Sequence, residues 1–119
     1  MDIKMVSKLY KQNSLLTLPT GKLLLWLLDE TIKVVKKGIQ AMHAIDIAEQ
    51  NRQIQIAQQI VVEIIPLINN SIDGGKKFMM LIDYINRRLI EANMNCDVLI
   101  LEEVEQFLNE LRSVWNEVI

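Results

Sequence analysis

Apolar positions along the last quarter of the chain recur at intervals of three and four. Leu101, Val104, Leu108, Leu111, Trp115 and Val118 follow this spacing, flanked by Phe107 and Val114. Turned by about 100° per residue, they form an arc of about 140°, an ordinary buried face for a helix. Glu102, Glu103, Gln106, Asn109, Glu110 and Asn116 occupy the opposite side. The same periodicity, cut by proline, glycine and capping residues, predicts three more helices. The first starts near Pro19 or Thr20 and runs to about His43. A short connection, Ala44-Ile45-Asp46, supplies Asp46 as the N-cap of a second helix that reaches about Ile68. Asn69 to Asp73 make the next turn, and the third helix continues to about Asn93. Asp97 then caps the fourth. Connections this short join antiparallel neighbours, so the expected fold is all-α: an antiparallel up-down four-helix bundle over residues 19–119, preceded by a tail or cap segment over residues 1–18.

The first helix departs from this regularity. Six apolar residues run without interruption from Leu23 to Leu28, with Lys22 before and Asp29 after them. Around Leu27, Thr31, Val34, Gly38 and Met42, the residues Leu25, Leu28, Ile32, Val35 and Ile39 widen the apolar arc to about 200°. Trp26 falls outside even that arc, among Lys22, Asp29, Lys33 and Lys37. The third helix has a core stripe of Phe78, Leu81, Ile82, Ile85 and Leu89, with Met79 and Ile90 to one side and Met80 and Tyr84 to the other. The second helix adds Ile56, Ile60 and Leu67 at the edge of its stripe. Two readings remain open. One is a greasy core with some exposed apolar atoms, as every protein has. The other is a hydrophobic groove for an amphipathic partner helix, to which methionine's adaptable side chain is suited.

Composition narrows the function classes. The chain has 119 residues, enough for one domain with a real core, and a net charge of -2, which gives no reason to expect nucleic acid. A membrane span needs about 20 apolar residues, and the longest run here closes after six. The opening residues carry no signal-peptide pattern, so a soluble, cytoplasmic protein with no membrane insertion is expected. A lone cysteine, Cys96, agrees with a reducing compartment. With one histidine, His43, a di-iron bundle is excluded, since that site needs two Glu-x-x-His motifs. Asp73-Gly74-Gly75 is too short to cradle phosphate and reads as a helix start. Arg87 and Arg88 leave an anion site open as the lesser reading, behind an exposed, solvated pair on a helix. No cofactor, metal site or catalytic constellation is expected, and the chain is read as a non-enzyme.

The stretch Leu81 to Asp97, LIDYINRRLIEANMNCD, resembles the flagellin-specific export chaperone family, FliS, through Tyr84, Arg87, Arg88, Leu89, Ala92, Asn93 and Asp97. The following segment resembles the same family through Leu101, Glu103, Val104, Leu111, Arg112 and Trp115, and YKQNSLLT is similar to the family's tail. The sequence departs from the family pattern at Pro19, Leu28, Glu30 and Ile82. Pro66 inside the second helix is expected to bend or end it.

The resemblance implies a cytosolic bacterial chaperone. It would bind the disordered C-terminal region of flagellin, prevent premature polymerisation and keep the client ready for the flagellar export gate, a second expected partner, with no cofactor. On that reading the client groove comprises Leu25, Leu28, Ile32, Ile56, Ile60, Met79 and Ile90. Tyr10, Leu15 and Leu16 of the tail are an N-terminal cap over part of it. The alternative is a helical adaptor or co-chaperone for a different amphipathic helix.

Overall fold

The computed structural model describes the backbone of residues 18–68 and 73–118, and side chains within them at residues 21–67 and 78–117. The described chain forms four helices: α1 (Leu18–His43), α2 (Ile47–Ile68), α3 (Asp73–Asn95) and α4 (Val98–Val118). Their bounds lie close to those expected from periodicity and caps. Each helix packs against its neighbours in sequence, and α4 closes the ring against α1, while the diagonal pairs α1/α3 and α2/α4 do not approach as closely. The up-down bundle is therefore as expected.

One core runs through the ring. Leu27, Leu28, Val34 and Val35 of α1 meet Ile54, Val61 and Ile64 of α2, Leu81, Ile85 and Leu89 of α3, and Leu101, Leu108, Leu111 and Trp115 of α4. Phe78 and Trp115 meet edge to face, with ring centroids 5.2 Å apart. Gly38 lets α1 approach two neighbours at once. A Cβ there would lie 3.3 Å from Leu101 Cδ2 and 3.5 Å from Ile54 Cγ1, so a larger side chain would push α2 and α4 outward. Thr31 is fully buried, and its hydroxyl donates to the Leu27 carbonyl at 2.8 Å, which removes the cost of an unpaired buried donor.

The α1–α2 and α3–α4 turns share one construction. In each, a residue just beyond the helix takes a left-handed conformation, Ile45 (second after α1) at φ 56° and Cys96 (first after α3) at φ 49°. The next amide bonds back five residues, Asp46 N–H to the Ala41 carbonyl at 2.9 Å and Asp97 N–H to the Ala92 carbonyl at 3.0 Å. These are Schellman closures. The same aspartate then caps the following helix. Asp46 Oδ1 accepts from the Glu49 amide at 3.1 Å, and Asp97 Oδ1 from the Leu99 and Ile100 amides at 3.0 and 3.3 Å. Gln50, 2% exposed, ties the two turns together at one end of the bundle. Its amide donates to Asn93 Oδ1 at 3.1 Å and reaches Cys96 Sγ at 3.5 Å.

One sequence expectation holds near the end of the second helix and one needs adjustment. The second helix ends at Ile68, two residues after Pro66, close to where an end was expected. Proline so near a helix end forfeits one intrahelical bond, and the last turn absorbs that loss. Leu28 and Ile32 are core residues, 0% and 7% exposed, and do not line an open groove. The wide arc of α1 is used for packing, because a helix in a ring must bury flanks against two neighbours.

Two outcomes follow. Ile45 is a β-branched residue at positive φ and is 82% exposed, so little packing opposes its replacement. Relief of about 1–2 kcal/mol of left-handed strain outweighs the backbone entropy that glycine adds, and Ile45→Gly should stabilise the protein by about 1 kcal/mol in urea unfolding. Hydrogen bonds from Arg52 first, then Gln53, hold the Glu49 carboxyl at about 2, below its ordinary 4.5. A folded pKa below the unfolded one means that this contribution is complete above pH 4.5 and is lost as pH falls through about 2. Glu49→Gln should therefore flatten the melting temperature against pH in that window and leave its slope near neutrality unchanged.

Candidate interaction site on the α3–α4 seam

The outer edge of α3 that faces α4 carries Met80, Tyr84, Arg87 and Arg88 at spacings of three and four, which places them on one stripe. Phe107 of α4 meets Tyr84 edge to face, ring centroids 5.9 Å apart. Two adjoining depressions open beside this pair. One, of about 140 Å³, is lined by Tyr84, Ile85, Arg88, Glu103, Val104 and Phe107. The other, of about 390 Å³, is lined by Met80, Leu81, Asp83, Tyr84, Arg87 and Phe107. Met80 is 56% exposed and Tyr84 43%, so the floor of the seam is apolar and open.

Charge frames that floor. Arg88 bridges helices, with Nη1 on Glu91 at 2.7 Å and Nη2 on Glu103 of α4 at 2.8 Å. Its pKa is raised, chiefly by the hydrogen bond to Glu103, so it stays cationic. Its Nε is buried without a hydrogen-bond partner. Arg87 pairs with Asp83 one turn back at 3.1 Å and is well exposed. An open apolar strip bordered by paired arginines and carboxylates can take the apolar face of a helix, with polar groups left to anchor its edges.

The residues assigned to a groove from sequence do not share one face. Leu25 and Ile32 flank Asp29, whose carboxylate pairs with Arg112 of α4 at 2.7 Å, so they lie on the α1–α4 side together with buried Leu28. Leu25 is half-buried. Ile56 and Ile60 follow Gln53, which sits beside Gly38, and so mark the α1–α2 side. Met79 and Ile90 share the stripe of Asn86 and Asn93. Asn93 bonds Gln50 and Asn51 of α2, which puts this stripe on the α2–α3 side. Ile90 is 39% exposed, while Met79, Ile56 and Ile60 are half-buried against the core. Tyr10, Leu15 and Leu16 lie outside the described residues. Sequence reasoning placed Met80 and Tyr84 at the edge of one stripe and Phe107 at the edge of another. That these edges face each other is the signal it did not use.

Nothing in the site points to chemistry on a bound metal. Among the described residues no group of three or more His, Cys, Asp or Glu side chains is placed to hold one. No described helix is long and apolar enough to cross a membrane.

Comparison with known proteins agrees with the resemblance read from the α3–α4 segment. The family model described as Flagellar protein FliS matches residues 3–119. The chain is 32% identical over 110 residues to the flagellar secretion chaperone FliS of Bacillus subtilis (strain 168), covering 92% of this chain and 83% of that protein. A match over nearly the whole length identifies the chain as a member of the FliS family of flagellar proteins.

Proposed function

We propose that this chain is a cytoplasmic secretion chaperone that holds the disordered C-terminal segment of flagellin, blocks its premature polymerisation and keeps it competent for export. Family membership supports the chaperone class. The observation that carries the binding mode is the open apolar seam of Met80, Tyr84 and Phe107, where a client helix finds a preformed groove. On the other seams, half-buried Leu25, Ile56, Ile60 and Met79 and exposed Ile90 suit a client that wraps the bundle in several short pieces. A wrapped segment of this kind buries on the order of 1,000–3,000 Å² and spends several kcal/mol on ordering, so affinity comes from many modest contacts. Folding of the client onto the seam requires no cofactor and no covalent step. The tail, with Tyr10, Leu15 and Leu16, covers part of this apolar surface when client is absent, and the export gate receives the loaded complex.

Titration with a flagellin C-terminal peptide tests this reading. Tyr84→Glu and Met80→Glu place a charge on the open seam and should weaken binding by about 1–2 kcal/mol or more, with Leu25→Glu acting in the same direction. Their melting temperatures should fall less than that of Leu108→Ala, which opens a cavity and costs about 2–5 kcal/mol. Ile32→Glu should behave as a folding mutation, since its side chain is in the core. Peptide binding unchanged in both Tyr84→Glu and Met80→Glu would remove the seam from the reading. No binding of the peptide by the native chain would remove the flagellin client.

Hydrogen exchange across residues 5–16 tests the cap. Protection in the free protein that disappears on adding the peptide is the expected result, and absence of protection in both states would refute it.

A further inference from the structure

The outer face of α1 is used neither by the core nor by the α3–α4 seam, which lies on the other side of the bundle. At about 100° per residue, positions 22, 26, 33 and 37 fall within about 60° of one another. Lys22, Trp26, Lys33 and Lys37 therefore make one line of about 22 Å along the outside of the helix, with Leu23 and Lys36 on its flanks. All six are exposed. Trp26 is 58% exposed and Leu23 44%.

The cations on this line differ from the other described cations. Arg52, Arg87, Arg88 and Arg112 each hold a carboxylate within 3.1 Å. Among the described residues none of Lys22, Lys33, Lys36 and Lys37 forms an ion pair. Two carboxylates interrupt the line: Asp29 and Glu30 stand one turn after Trp26 and one turn before Lys33. Asp29 is turned to Arg112 of α4, and Glu30 is half-buried on the opposite flank. In a chain of net charge -2, Lys22, Lys33, Lys36 and Lys37 outnumber these two carboxylates and make the face locally cationic, with exposed Trp26 as an apolar anchor toward its N-terminal end; Lys37 also acts on Glu49 of α2, whose carboxyl it helps to hold down.

We propose that the outer face of α1 docks an acidic helical segment of another protein, with carboxylates along one side for Lys22, Lys33, Lys36 and Lys37 and one apolar residue against Trp26 and Leu23. Charge complementarity selects the acid, and an exposed tryptophan is the kind of anchor that dominates small interfaces. A lipid surface fits less well. An interfacial helix needs a broad apolar face to insert, and α1 has spent its apolar face on the core, leaving two large apolar side chains at one end of the line. This site is separate from the proposed client seam, so both can be filled together.

The probe is a synthetic helical peptide with glutamates along one side and a leucine beside them, and its control has glutamine in place of every glutamate. Binding is read by anisotropy of the labelled peptide and by tryptophan emission. Trp115 is fully buried, so a blue shift reports Trp26 becoming covered. Saturable binding with a blue shift is expected for the acidic peptide. It should weaken several-fold between about 50 and about 300 mM salt as the Debye length shortens. The double variant Lys33→Glu, Lys37→Glu should lose at least about ten-fold in affinity, and Trp26→Ala should also weaken binding. Helicity, melting temperature and flagellin-peptide binding should be unchanged in both, which separates this site from the client seam. Equal affinity for the glutamine peptide, or for the charge-reversed protein, would overturn the proposal. So would a blue shift given by phosphatidylglycerol vesicles and not by the peptide, which would assign the face to lipid. A blue shift that follows protein concentration alone, with dimers in sedimentation, would assign it to a second copy of the chain.

Discussion

Each helix of this bundle packs against two neighbours and approaches its diagonal partner less closely, and that arrangement governs the rest of the structure. A helix in such a ring buries the stripe that faces the centre and also a flank on each side. For α1 this consumes Leu28, Ile32 and Val35 as well as Leu27 and Val34. The long apolar run that looks excessive for one face is what two neighbours require. Gly38 brings the three helices close, and Thr31 closes its hydroxyl on its own helix so that no polar group is left unpaired at the contact.

Where the ring does not fill its flanks, surface is left for others. On α3 the flank toward α4 ends in Met80 and Tyr84, and the facing flank of α4 ends in Phe107, which meets Tyr84 but does not fill the seam. Arg88 spans the same seam by pairing with Glu103 and thereby keeps the groove's two walls in register. On the proposed reading, a seam held at its edge by an ion pair, with an apolar floor left open, receives a client helix without needing to rearrange. That suits the proposed disordered client, which would bear the cost of ordering.

The turn end of the bundle is built by repetition. Left-handed Ile45 and Cys96, each followed by a capping aspartate, reverse the chain in the same way, and Gln50 links the two turns through Asn93. Local hydrogen bonding sets these reversals, which is why Asp46 and Asp97 could be read as caps from sequence. The left-handed strain at Ile45 is not visible in sequence, since an isoleucine is among the last residues expected there.

Periodicity and caps determined the number of helices, their bounds to within a few residues, and the core positions Leu27, Val34, Ile85, Leu108, Leu111 and Trp115, because these depend on the chain's own 3.6-residue repeat. The Tyr84 to Asp97 motif also carried the family. The side on which each flank lies was decided only by the tertiary structure. A helical wheel gives the width of an apolar arc but not which neighbour covers it, so Leu28 and Ile32 read as spare from sequence and prove to be core. The same missing information scattered Leu25, Ile56, Ile60, Met79 and Ile90 over three seams and hid the pairing of Tyr84 with Phe107. Those two rings are separated by more than twenty residues of chain and share a groove only because α3 and α4 are adjacent in the ring.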